Sequence, residues 1–162
     1  DILSGYYSTT GLSIIRVRPF NHTGPGQNRS FVCSNFAHQV AGIEKGTQEP
    51  ILEVGNLDAK RDFTDVRDVV RAYWMLMNSD KGVGEVFNIC SGRAIVIKEI
   101  LNMLLSKSRV KITISRDRKR LRVLDIPILY GENTKLKTAT GWQPEIPIEK
   151  TLDDMLEYWR RQ

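Results

Sequence analysis

The amino-acid sequence predicts an α/β fold built on a parallel sheet. Apolar segments with the length of strands alternate along the chain with segments of helical period, which is typical of a sheet covered by helices. The first apolar segment leads directly into Asn21, His22 and Thr23 and then into the glycine-rich residues 24–27. Polar loops at the carboxyl ends of buried parallel strands are where such sheets bind ligands. Only about two strands look fully buried, so we expect the chain to be a fragment of a longer protein.

The elements of the first half follow from spacing and from chain breakers. The first strand is predicted from Leu12, Ile14, Ile15 and Val17. Pro19 is expected to end this strand, because proline donates no ladder hydrogen bond. Helical spacing predicts a helix over residues 31–43 with Gly46 as its stop, and a short strand follows at residues 51–54.

The second half repeats this alternation. Thr64 or Asp65 is expected to cap a helix whose first turn contains Asp68. The buried stripe of this helix is predicted to be Val66, Val69, Val70, Tyr73, Leu76 and Met77. Strands are then predicted at 85–90 and 110–114, and helices at 97–105, 134–140 and 148–159.

Composition limits the class of protein. The chain of 162 residues is 41% hydrophobic and 27% charged, which indicates a globular domain, and no apolar run approaches the length of a membrane span. Cys33 and Cys90 are expected to be buried free thiols of a cytoplasmic protein, and the spacing of cysteines and histidines predicts no metal site. The net charge of +5 suits an anionic ligand.

Two side chains stand out as candidate ligand contacts. Arg61 follows a loop opened by Gly55, where its planar guanidinium is suited to a phosphate or a carboxylate. The alternative is a surface arginine paired with Asp62 or Asp65. Asn21 is either a turn residue or a ligand contact at the end of a buried strand. His22, next to it, is expected to be a structural hydrogen-bond partner.

The basic run at residues 116–122 raises a nucleic-acid hypothesis. No aromatic side chains are interleaved for base stacking, so we expect no nucleic-acid partner. A loop that supplies one or two arginines to a small anion is the preferred interpretation, with Asp125 placed to accept hydrogen bonds from ribose or sugar hydroxyls. No Ser-His-Asp set, carboxylate pair or P-loop is present in the sequence, and no catalytic residue is assigned.

Four ordered motifs together resemble a known family. They are Arg-Pro-Phe-Asn-His-Thr-Gly-Pro-Gly-Gln at 18–27, Gly-Asn-Leu-Asp-Ala-Lys-Arg-Asp-Phe-Thr-Asp-Val-Arg-Asp at 55–68, Glu-Val-Phe-Asn-Ile-Cys-Ser-Gly at 85–92, and Thr-Gly-Trp-Gln-Pro at 140–144. The chain resembles the C-terminal half of an extended short-chain dehydrogenase/reductase. This superfamily comprises the sugar-nucleotide epimerases, dehydratases and reductases. The second motif is most similar to its GDP-mannose branch.

The resemblance implies an architecture. The chain would contain the last strands of a Rossmann-like parallel sheet and a small α/β substrate-binding domain. Residues 1–27 and 60–92 would belong to the NAD(P)-binding domain, and residues 28–59 and 93–162 to the sugar-nucleotide domain. The intact protein is expected to be a homodimer to whose interface the opening residues contribute.

The resemblance also implies a reaction: NAD(P)H-dependent reduction of the C4 ketone of GDP-4-keto-6-deoxymannose. A dehydratase or epimerase reaction on a nucleotide-sugar, or a non-catalytic nucleotide-sugar-binding module, remains an alternative. The family's Tyr-x-x-x-Lys pair and Gly-x-x-Gly-x-x-Gly loop are not in this sequence. The chain is therefore expected to be inactive alone, and NAD(P)H to be bound mainly by residues outside it.

Site residues follow from the same resemblance. Pro19 and Phe20 would border the nicotinamide, and Asn21 the diphosphate or the sugar. Phe31 and Val32 would cradle the base, and Arg61 would pair with the diphosphate. Arg122 and Asp125 would approach the diphosphate and the ribose, although Val123 replaces the proline common in the family.

Overall fold

The computed structural model describes residues 9–117 and 126–162. Its strands are β1 (Arg16–Pro19), β2 (Asn21–Thr23), β3 (Ile51–Val54), β4 (Lys60–Arg61), β5 (Phe63–Asp65), β6 (Val86–Ile89), β7 (Ile95–Val96), β8 (Thr113–Arg116) and β9 (Ile128–Leu129). Its helices are α1 (Val32–Glu44), α2 (Val66–Met77), α3 (Ile97–Leu105), α4 (Thr134–Thr140) and α5 (Ile148–Arg161), with a 3₁₀ turn at Asp80–Gly82.

The strands form short, mainly parallel pairs. β1 pairs with β6, β2 with β5, and β3 with β8, all in parallel register. In the remaining sheet β4 lies between antiparallel β7 and parallel β9. The predicted α/β class is confirmed. No helix in the described ranges is long and apolar enough to cross a membrane.

The first strand ends at Pro19 as predicted, but it begins at Arg16, after the predicted strand residues Leu12, Ile14 and Ile15. The strand does not give way to a loop after Pro19. Instead the chain changes partner at Phe20, whose backbone N–H donates to the carbonyl of Ile89 at 2.9 Å. Asn21–Thr23 then form β2 against Phe63–Asp65. Pro19 is the last residue of β1, a position where a missing N–H disturbs the ladder least.

The helices agree closely with their sequence signals. Asp65 caps α2 by accepting a hydrogen bond from the backbone N–H of Arg67 at 2.8 Å. Gly141 ends α4 in the left-handed conformation, with φ of 75°. The buried stripe of α2 is narrower than predicted. Val70 and Met77 are 57% and 82% exposed, so their assignment to this stripe was wrong.

Buried apolar side chains form two clusters. The larger cluster includes Phe36, Val40, Leu52, Leu101 and Leu156, from α1, β3, α3 and α5. The second cluster consists of Val69, Ala72, Leu76, Phe87, Ile89, Leu136 and Trp142, from α2, β6, α4 and the residues after α4. The predicted division of the chain into two domains stays a prediction.

A partly buried ion pair joins the end of α1 to the end of α5. Glu44 accepts two hydrogen bonds from the guanidinium of Arg160, both at 2.7 Å, and one from the backbone N–H of Arg109 at 2.9 Å. The bonds from Arg160 hold the pKa of the Glu44 carboxyl below its ordinary value of 4.5. The contribution of this carboxylate to folding is therefore complete above pH 4.5, and it is lost as pH falls through the lowered pKa.

We expect Glu44→Gln to reduce the acid sensitivity of the fold. Glutamine cannot lose a charge on acidification, so the variant should lose less unfolding free energy than the wild type between neutral and acidic pH. Urea denaturation at several pH values measures this difference. Equal losses in the two proteins would show that the pair does not contribute to acid stability.

Thr64 offers a second test of packing. It is 3% exposed. Within residues 9–117 and 126–162, its Oγ1 is the one buried side-chain polar atom that has no hydrogen-bond partner. We expect Thr64→Val to leave stability unchanged or to raise it by up to about 1 kcal/mol, because valine removes an unsatisfied hydroxyl. The matched control is Thr151→Val, whose lost Oγ1 donates to Asp65 at 2.7 Å. That control is expected to cost about 1.5–3 kcal/mol. Urea denaturation separates the two outcomes, and an equal cost would contradict the assignment.

Candidate functional site

A cavity of about 850 Å³ lies where the β1–β2 segment, the start of α1 and β4 meet. Five predicted site residues line this cavity: Phe20, Asn21, Phe31, Val32 and Arg61. They come from three parts of the chain that the fold brings to one place. The volume of the cavity lies within the usual range for small-molecule sites, roughly 300–1,000 Å³.

The amino end of α1 contributes the electrostatic character of one wall. Phe31 occupies the N-cap position and makes no side-chain hydrogen bond to the first turn, which contains no acidic residue. The first N–H groups of a helix have no partner within it, and the helix dipole adds positive potential there. Arg29 and Arg61 also line the cavity, while Glu53 supplies one carboxylate. This wall is suited to an anionic ligand.

Arg61 lies on β4, and its guanidinium is anchored by backbone carbonyls. Its Nη1 donates to the carbonyl of Lys60 at 2.8 Å and to that of Ile126 at 2.6 Å. The carboxylate of Asp65, proposed as an alternative partner, accepts from Arg67 at 2.7 Å. The two backbone carbonyls thus orient the Arg61 guanidinium at the cavity wall.

Phe20 and Asn21 also line the cavity. Asn21 is held in β2 by its pairing with Phe63. The ring of Phe20 lies so close to Gly131 that a Cβ on that glycine would come within 2.7 Å of it. A ring nitrogen of His22 donates to the carbonyl of Phe20 at 3.0 Å, as expected for a structural histidine.

The remaining predicted residues are placed differently. Pro19 ends β1 next to Phe20, outside the set of described residues that line the cavity. Arg122 and Asp125 lie outside the described residues. Sequence reasoning did not single out Arg29 or Glu53, which also line the cavity.

The two cysteines are free and buried, as predicted. Cys33 lines the cavity, and burial raises its pKa to about 12. Burial, with the nearby Asp62 carboxylate, raises the pKa of Cys90 to about 11. Burial therefore disfavours the thiolate, which is the nucleophilic form, at both cysteines. Within the described ranges, no three His, Cys, Asp or Glu side chains lie close enough together to hold a metal ion.

Comparison with known proteins decides the family. The family model for GDP-mannose 4,6 dehydratase matches residues 1–155 of this chain. The chain belongs to the GDP-mannose 4,6 dehydratase family. This membership confirms the predicted relationship to the sugar-nucleotide epimerases, dehydratases and reductases.

Individual members of the family give the extent of the match. The chain is 40% identical over 151 residues to GDP-6-deoxy-D-mannose reductase of Pseudomonas aeruginosa, covering 93% of this chain and 49% of that protein. It is 26% identical over 181 residues to GDP-mannose 4,6-dehydratase of Yersinia enterocolitica, covering 94% and 46%. The solved structure of RMD from Pseudomonas aeruginosa complexed with NADPH superimposes with a TM-score of 0.92 at 38% identity. That match covers 99% of this chain and 52% of the solved one. The chain therefore spans about half the length of the curated relatives it matches.

Proposed function

We propose that this chain is the substrate-binding half of an NAD(P)-dependent enzyme that modifies a nucleotide-sugar. The reaction we propose for the intact protein, meaning the full-length product that contains this chain, is reduction of the C4 ketone of GDP-4-keto-6-deoxymannose. The observation that carries the proposal is the cavity that brings Asn21, Arg61 and the amino end of α1 together. The 40% identity to GDP-6-deoxy-D-mannose reductase favours this reaction within the family.

The diphosphate is assigned to the wall formed by α1 and Arg61. The amides of the first helical turn, which have no carbonyl partner within the helix, and a planar guanidinium are complementary donors for phosphate oxygens. Asn21, which also lines the cavity, would donate or accept at the sugar or at the diphosphate. Glu53 would lie next to an uncharged part of the ligand, away from the negative charges of the diphosphate.

The base is assigned to Phe31 and Val32 at the start of α1. Phe31 is 56% exposed although it lines the cavity, which leaves its aromatic face available to a planar ring. Arg122 and Asp125 complete the proposed site at the diphosphate and the ribose. Their contribution rests on the sequence alone.

The nicotinamide is assigned to Pro19 and Phe20. The ring of Phe20 packs closely against Gly131, where an added Cβ would come within 2.7 Å of it, so it can present an apolar surface to a cofactor ring. NAD(P)H, when bound, supplies the hydride for the ketone. The residues of this chain would orient the two ligands and exclude water between them. The other cofactor contacts are proposed to come from outside this chain, in an intact protein that forms a homodimer.

A dehydratase is the second candidate. It is favoured by the family model itself and by the match to the enzyme of Yersinia enterocolitica. The two candidates differ in substrate, because a dehydratase starts from GDP-mannose and a reductase starts from the 4-keto sugar.

The deciding experiment supplies the intact protein with each sugar separately. With NADPH and GDP-4-keto-6-deoxymannose we expect cofactor oxidation and a reduced GDP-sugar, and with GDP-mannose alone we expect no reaction. Conversion of GDP-mannose to its 4-keto product would support the dehydratase instead. Failure with both substrates would contradict the enzyme assignment. The 162-residue chain alone is expected to show neither activity.

A further inference from the structure

We propose that Asp62 is a positioning residue that holds both Arg61 and Phe20 in the cavity wall. The inference rests on the proposed function, since it concerns how the same cavity is shaped for a nucleoside diphosphate. Asp62 itself lies beneath the wall and is completely buried.

The carboxylate of Asp62 accepts four hydrogen bonds. Its Oδ1 accepts from the backbone N–H of Ser91 at 2.7 Å and from the Ser91 hydroxyl at 2.6 Å. Its Oδ2 accepts from the backbone N–H groups of Gly92 at 2.9 Å and Gly131 at 3.2 Å. All four donors are neutral. One carboxylate therefore joins β4 to the turn after β6 and to the residues after β9.

The first consequence concerns Phe20. A Cβ on Gly131 would lie 2.7 Å from the Phe20 ring and 2.7 Å from the Cys90 sulfur, so the ring and the glycine backbone are in close contact. Asp62 holds the N–H of that same glycine. The position of the Phe20 ring thus depends on the Asp62 carboxylate through Gly131.

The second consequence concerns Arg61. Side chains alternate along an extended chain, so Arg61 and Phe63 face the cavity while Asp62 faces away from it. The backbone N–H of Asp62 donates to the carbonyl of Leu129 at 3.0 Å. The guanidinium of Arg61 donates to Ile126 on the same neighbouring segment. Through Gly131 and Leu129, Asp62 is therefore tied to the segment whose Ile126 carbonyl orients the Arg61 side chain.

Asp62→Asn tests this role with little change in volume. An amide replaces one acceptor oxygen with a donor, so it opposes at least one of the N–H groups that now bind the carboxylate. The matched control is Asp68→Asn. Asp68 is also buried, and it accepts from the backbone N–H groups of Glu145 and Ile146, both at 2.9 Å, next to Trp142 in the second cluster. Both variants should lose stability, but only the first should change the cavity.

The primary readout needs no ligand. In the intact protein, labelled at arginine Nε and at phenylalanine rings, we expect Asp62→Asn to shift the NMR signals of Arg61 and Phe20. Asp68→Asn should leave both signals at their wild-type positions. If Asp62→Asn also leaves them there, the positioning role is overturned.

The second readout is calorimetric titration with GDP. We expect Asp62→Asn to weaken GDP binding about tenfold or more, because the Arg61 fork moves off its target, and Asp68→Asn to stay within about twofold. A wild type that does not bind GDP would contradict the proposed function, while the NMR signals would still decide the positioning role. If Asp62→Asn does not fold, Ser91→Ala replaces it, since it removes one of the four donors. Unmoved Arg61 and Phe20 signals in Ser91→Ala would then overturn the proposal.

Discussion

Replacing Trp142 with alanine is expected to lower the free energy of unfolding by about 3–5 kcal/mol. Trp142 is completely buried in the second cluster, and its indole N–H donates to the backbone carbonyl of Asp68 at 2.9 Å. The substitution leaves a large cavity between α2 and α4 and removes the hydrogen bond from the indole N–H to the Asp68 carbonyl. Urea denaturation followed by far-ultraviolet circular dichroism measures the loss.

Trp74→Ala is the matched control for this prediction. Trp74 lies on α2 and is 65% exposed, so removing its ring should change stability by no more than about 0.5 kcal/mol. If the two variants lose the same free energy, the second cluster is not the stabilising core that its burial indicates.

Replacing Arg61 with alanine is expected to weaken GDP binding to the intact protein by about 2–5 kcal/mol, or roughly 30-fold to 4,000-fold. The physical reason is the loss of bidentate, charge-assisted hydrogen bonds between the Arg61 guanidinium and the diphosphate, which the bound ligand would bury. Isothermal titration calorimetry measures the affinity directly. Stability should change little, because Arg61 is partly exposed at the cavity wall.

Two further variants make the Arg61 result specific. Arg61→Lys keeps the charge but not the planar fork, so its affinity should lie between those of the wild type and Arg61→Ala. Arg161→Ala removes the same charge from the exposed last turn of α5 and should bind GDP like the wild type. Equal losses in Arg61→Ala and Arg161→Ala would indicate a general effect of net charge and would contradict a diphosphate contact.

Much of the fold was accessible from local sequence signals. The capping residue Asp65 and the terminal Gly141 act within one helical turn, so the ends of α2 and α4 could be predicted closely. The strand β2 was missed because its partner, β5, lies 42 residues further along the chain. The predicted buried stripe of α2 was too wide, since periodicity alone does not reveal that Val70 and Met77 are exposed to solvent.

The candidate site was predictable to a similar extent. Asn21 and Arg61, which line the cavity, could be singled out because their residue types and places near strand ends suit an anion. Arg29 and Glu53 were missed because nothing local distinguishes them from solvated charges. Asp62 was seen only as a possible partner of Arg61. Its true partners include Ser91 and Gly131, which are 29 and 69 residues away.

The most direct test of the central claim is to titrate the intact protein with GDP and, separately, with guanosine. The two ligands share the base and the ribose and differ in the diphosphate, which is assigned here to the amino end of α1 and to Arg61. We expect measurable GDP binding and much weaker guanosine binding, with a difference that Arg61→Ala largely removes. Equal affinity for the two ligands, or no binding of GDP, would contradict it.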